Sequence, residues 1–146
     1  MAALTASRNT LRKGFETLVP SLNYGIKGGS KVQLGGMVAI DPTGYIVPMT
    51  AATGLVPAGV VGSVPPTGLD NTSGANGAIS CEVRRGIFLL DAGTAGDAVT
   101  QANVGLSAFA MDDHTVSPVG TGRTKVGVFT EIDASGQVWV QITGPI

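Results

Sequence analysis

Charge is scarce in this sequence. Only 13% of the 146 residues are Asp, Glu, Lys or Arg, against about 25% in an ordinary soluble domain, and so lightly charged a surface is prone to associate. Aromatic residues are thin as well, at 5%, which leaves Val, Ala, Ile and Leu to build a core from many small contacts. One cysteine, Cys81, excludes an intramolecular disulfide and any multi-thiolate metal site; as a lone free thiol it is expected in the core. With one histidine, His114, every Ser-His-Asp or Cys-His arrangement would have to pass through that residue.

The motifs of catalysis and ligand binding are missing too. No Gly-x-Ser-x-Gly elbow surrounds a serine, and Asp-x-Asp-x-Asp-Gly calcium spacing does not occur. Gly28-Gly29-Ser30-Lys31 and Gly120-Thr121-Gly122-Arg123 lack the spacing of a phosphate-binding loop and read as turns. Asp112 and Asp113 flank His114 in AMDDHTV, a stretch that reads as a polar hairpin tip, so His114 is expected to be a solvated loop residue. No catalytic residue, cofactor or metal is therefore expected. Mean hydropathy is positive at +0.31, yet no apolar run approaches the ~20 residues of a membrane span. The opening MAALTASRNTLRKG has no apolar stretch of about 7 to 15 residues to act as a secretory leader. Synthesis in a cytoplasm and no membrane partner are the expectations. An isoelectric point near 5.6 and no basic aromatic face argue against nucleic acid as a partner.

What charge there is lies unevenly. Residues 1–31 carry Arg8, Arg12, Lys13, Lys27 and Lys31 against Glu16 alone, a net +4, and the remainder is −5. A basic arm thus precedes an acidic body, and segregated charge of this kind suits contact with an acidic partner. Leu4, Leu11, Phe15 and Leu18 would align on one side of a short helix, weakened by Gly14 and ended by Pro20; a loose terminus is the alternative.

From Lys31 onward, short apolar segments alternate with Gly, Pro, Asn and Asp turns, the punctuation of an all-β sandwich or barrel. KVQLGGMVAI, Asp41-Pro42-Thr43-Gly44 and YIVPM read as a hairpin, and KVGVFTEI, Asp133-Ala134-Ser135-Gly136 and QVWVQI as another. AISCEVRRGIFLLDA is the longest strand-like run, with Gly86 free to bend it. Residues 65–77, rich in Gly, Asn, Ser and Pro, should form an exposed, mobile loop. The expected fold is all-β: one compact β-barrel or jelly-roll-like sandwich over residues 31–146, with an extended N-terminal arm over residues 1–30.

The order GGMVAIDPTGYIVPMTAAT, LVPAGVVGSV, ISCEVRRGIFLLDAGTAGDAV, HTVSPVGTGRTKVGVFTEID and GQVWVQI resembles the capsid decoration, or cement, proteins of tailed bacteriophages. The resemblance implies a β-barrel body on the outside of an icosahedral head, self-associated as a dimer or trimer, with an arm reaching onto the major capsid protein. It implies a structural role without catalysis in the virion, with Arg8, Arg12, Lys13, Lys27 and Lys31 meeting acidic capsid surface and Leu11, Phe15 and Leu18 as anchors. The alternative is a β-barrel ligand- or carbohydrate-binding module, such as a fibre or receptor-binding head domain, which would bring Trp139 and Tyr45 together with amide side chains.

Overall fold

A computed structural model describes residues 1–13, 22–63 and 69–142. Among the described residues, apart from two single-turn 3₁₀ segments, Ala95–Asp97 and Gln101–Asn103, every element is a strand: β1 (Arg12–Lys13), β2 (Leu22–Gly25), β3 (Lys31–Val32), β4 (Met37–Ile40), β5 (Ile46–Pro48), β6 (Val56–Ser63), β7 (Leu69–Asp70), β8 (Ser80–Arg84), β9 (Gly86–Ala92), β10 (Ser107–Ala110), β11 (Thr115–Ser117), β12 (Lys125–Ile132) and β13 (Val138–Ile142). The all-β expectation holds.

Strands β9, β11, β10, β12 and β13 close into a five-stranded barrel, because β13 returns to pair with β9 from Val138↔Leu90 to Ile142↔Gly86. All neighbours are antiparallel except β11 with β9. A second sheet runs β2-β8-β6-β4-β5, and its two edges approach each other at an isolated Ile26↔Ile46 bridge. β3 and β7 form a separate ribbon. The run from Ile79 to Ala92 is a strand pair bent at Gly86, whose φ of +146° is open to glycine and strained for other residues. There the chain leaves the second sheet and enters the barrel.

Period-2 patterning explains the packing. In β13, Val138, Val140 and Ile142 are buried inside the barrel while Trp139 and Gln141 are half-exposed. The barrel core continues into Met37, Ala39, Met49 and Val60 of the second sheet. A second cluster (Ile26, Val32, Val38, Ile46, Ala58, Val61, Cys81, Val83) fills the other face of that sheet. β4 is therefore covered on both sides: Met37 and Ala39 face one cluster and Val38 the other. That is why it reads as an unbroken apolar run.

Both expected hairpins form, on one turn chemistry. Asp41 Oδ1 accepts Thr43 N–H (2.9 Å) and Asp133 Oδ2 accepts Ser135 N–H (3.0 Å), and each turn ends on a glycine with φ near +90°, Gly44 and Gly136. These are Asx turns, in which the carboxylate stands in for a backbone acceptor.

Three expectations are corrected. The body begins before residue 31, since Leu22–Gly25 pair in full with β8 and Ile26 has no exposed surface. Residues 4–13 form no helix; Leu11–Lys13 run extended along β9, where open ladder groups favour a strand over a Gly-weakened helix. Residues 72–77 of the 65–77 loop are exposed as expected, but the described part is tied down by Asn71, which is 1% exposed and donates Nδ2–H to Ile26 O (2.9 Å) and Ala75 O (2.8 Å).

Candidate interaction site

The N-terminal segment lies against the chain's own body and is held almost wholly by polar contacts. Ser7 Oγ donates to Gln33 Oε1 (2.8 Å) and accepts Leu34 N–H (3.0 Å), and Arg8 N–H donates to Leu34 O (2.8 Å). Thr10 Oγ1–H donates to Gly35 O. Beyond them Leu89 N–H donates to Leu11 O (2.8 Å), and Arg12 and Lys13 lie opposite Phe88 and Ile87. The barrel leaves this seat open: β13 covers one edge of β9, while β11 covers the other edge only around Asp91 and Ala92. β1 completes the rest.

Gly35 is the residue that sequence reasoning missed. Its φ is +82°, and a Cβ there would stand 2.2 Å from Arg8 O, so any side chain would displace the segment. The Gly35-Gly36 pair was the available signal; alone it reads as an ordinary turn.

The basic residues divide by location. Arg8 Nη1 meets Asp91 Oδ2 at 3.1 Å. Lys27 Nζ meets Asp41 Oδ2 at 2.5 Å, and this bond, with those from Thr43, holds the Asp41 carboxyl down to about 2. Lys31 lies in β3 opposite Asp70. Leu11 is 49% exposed and buries no anchor. Phe15 and Leu18 lie outside the described residues. Arg8, Leu11, Arg12 and Lys13 thus share one strip along β9, whereas Lys27 and Lys31 sit on the second sheet and the ribbon.

At the start of that strip the structure overturns a second reading. The β10–β11 turn, closed by Met111 N–H to Thr115 O (2.9 Å), is folded inward. Asp112 is 4% and Asp113 3% exposed, and the His114 side chain is 19% exposed rather than solvated. Asp112 Oδ1 accepts the N–H groups of His114 (2.9 Å) and Thr115 (2.7 Å), the same Asx chemistry as in the exposed turns. Asp113 O accepts Met37 N–H (2.7 Å), and Asp113 Oδ1 accepts Leu4 N–H (2.8 Å). His114 Nδ1 lies 3.0 Å from Asp113 Oδ1 and 3.1 Å from Asp112 Oδ1, and its Nε2 is 4.0 Å from Asp91.

Elsewhere, burial pushes the Cys81 thiol up to about 12, so the reactive thiolate is suppressed at neutral pH. Asp97 is held below the ordinary carboxylate range chiefly by Arg123, 2.6 Å away, and by Ser117. Trp139 belongs to the barrel and Tyr45 to the β4–β5 turn of the second sheet. No known protein family, curated protein or solved structure matches this chain.

Proposed function

We propose that this chain is a structural, non-enzymatic virion protein that decorates the outer surface of an icosahedral phage capsid and stabilises it by bridging neighbouring capsid subunits. The observation that carries the reading is the attachment of the N-terminal segment. It pairs with β9 through main-chain groups, its cation Arg8 meets a carboxylate, and it buries no large apolar side chain among residues 1–12. Strand addition of this kind takes affinity from the backbone and is transferable to another sheet edge. An acidic capsid surface would offer Arg8, Arg12 and Lys13 the same chemistry as Asp91.

Such a protein acts by mass action. Each bound copy adds its binding free energy to the expanded shell and to no other state, and many weak contacts from dimeric or trimeric copies add up through multivalency. The test is to mix purified protein with undecorated expanded heads and image them by cryo-electron microscopy. Stoichiometric added density on the outer surface is the expected result; none at micromolar protein overturns the reading.

A further inference from the structure

We infer that Asp112, Asp113 and His114 form a binding site for one divalent transition-metal ion, such as Mn²⁺ or Zn²⁺. All three offer a ligand atom, and these atoms lie within 4.8 Å of one another. The distances from His114 Nδ1 to Asp113 Oδ1 and Asp112 Oδ1, 3.0 and 3.1 Å, are those of neighbouring corners of a coordination sphere. Two ligands each about 2.1 Å from a metal stand about 3.0 Å apart at an octahedral right angle and about 3.4 Å apart at the tetrahedral angle. Two carboxylates and an imidazole are a donor set for a transition-metal ion rather than for Ca²⁺, which takes oxygen alone.

The second observation is a missing partner. Asp112 Oδ2 is fully buried and has no hydrogen-bond partner, while Oδ1 of the same carboxylate takes both N–H groups of its turn. Burying a carboxylate oxygen with nothing opposite it is costly, and hydrogen bonding to His114 does not remove that cost. Nδ1 can carry a single proton, and two acidic oxygens lie within 3.1 Å of it. A cation bound there compensates both carboxylates at once.

The surroundings suit a ligated imidazole. A histidine bound through one ring nitrogen commonly turns its other N–H toward a carboxylate, and His114 Nε2 faces Asp91 at 4.0 Å. Asp91 is itself held by Arg8 (3.1 Å) and Gln137 Nε2 (2.8 Å). The partly exposed His114 side chain leaves a way in from solvent. Because Asp113 also accepts Leu4 N–H, a bound ion would tie the start of the N-terminal segment to the β10–β11 turn.

The experiment uses untagged full-length protein, stripped with a chelator and titrated at neutral pH with Zn²⁺, Mn²⁺ and Ca²⁺ by calorimetry, with thermal unfolding in parallel. Zn²⁺ and Mn²⁺ should each saturate at one equivalent per chain and raise the melting temperature with concentration, with Ca²⁺ clearly weaker. Asp112→Asn keeps an oxygen for the turn yet should weaken binding at least about tenfold, and His114→Gln, at the half-exposed side of the site, should do the same if the first variant fails to fold. Bound Mn²⁺ should broaden the His114 ring signals before any others. Absence of saturable binding, or binding that both variants leave unchanged, overturns the proposal.

Discussion

Two basic segments near the N-terminus meet the same body in different ways. Residues 22–27 pair with β8 and then drive Ile26, with no exposed surface, into the second core cluster beside Val38, Ile46 and Val83. Of residues 1–13 only Arg12 and Lys13 pair as a strand, none of residues 1–12 is fully buried and Leu11 stands 49% exposed. One segment is welded by apolar burial. The other is fastened by hydrogen bonds whose net worth is about 0.5–1.5 kcal/mol each, offset by about 1–2 kcal/mol of backbone entropy per ordered residue. Both segments add a strand to the body, but with four register pairs in one and two in the other, and the weaker attachment suits the exchange of partners proposed above.

The largest effect should come from Ile26→Ala, which removes apolar volume from a closed cluster and should cost about 2–5 kcal/mol, read as a shift in the urea midpoint. A smaller loss than that of the truncation described next would break the contrast. Deleting residues 2–13 should leave far-ultraviolet circular dichroism β-like and shift the midpoint less than Ile26→Ala, while weakening capsid attachment. An unfolded product would show that the barrel cannot close β9 without β1. The smallest effect is one that acid removes. The Asp41 carboxyl, ordinarily near 3.8, is lowered to about 2 in the folded chain, mainly by Lys27. Its contribution is therefore complete above about pH 3.8 and fades as pH falls toward 2. Lys27→Met should lower stability modestly at neutral pH, where the contribution is complete, and flatten the further loss as pH falls through that window; an unchanged acid profile would detach Lys27 from the account.

Much of this could be read from the chain. Asp41 and Asp133 announced their hairpins because an Asx turn needs only a carboxylate and two following residues. Alternation in β13 marked its buried face because side-chain direction repeats every two residues. The site was far less visible. Asp112-Asp113-His114 has the composition of an exposed turn, yet its two acids are buried, with Met37 and Leu4, 76 and 109 positions away in sequence, donating to Asp113. Leu4, Leu11, Phe15 and Leu18 offered a helical stripe, but the uncovered stretch of β9 rewards an extended chain, and that edge exists only once the barrel has closed.

The amino-acid order by itself therefore determined the strands, the turns and the class of fold, since periodicity and turn chemistry act over a few neighbouring residues. Only the tertiary structure decided that the N-terminal segment completes β9, that Gly35 must stay bare beneath it, and that the two acids beside His114 are buried. Those outcomes depend on which distant backbones come within hydrogen-bonding distance, and no local pattern encodes that distance.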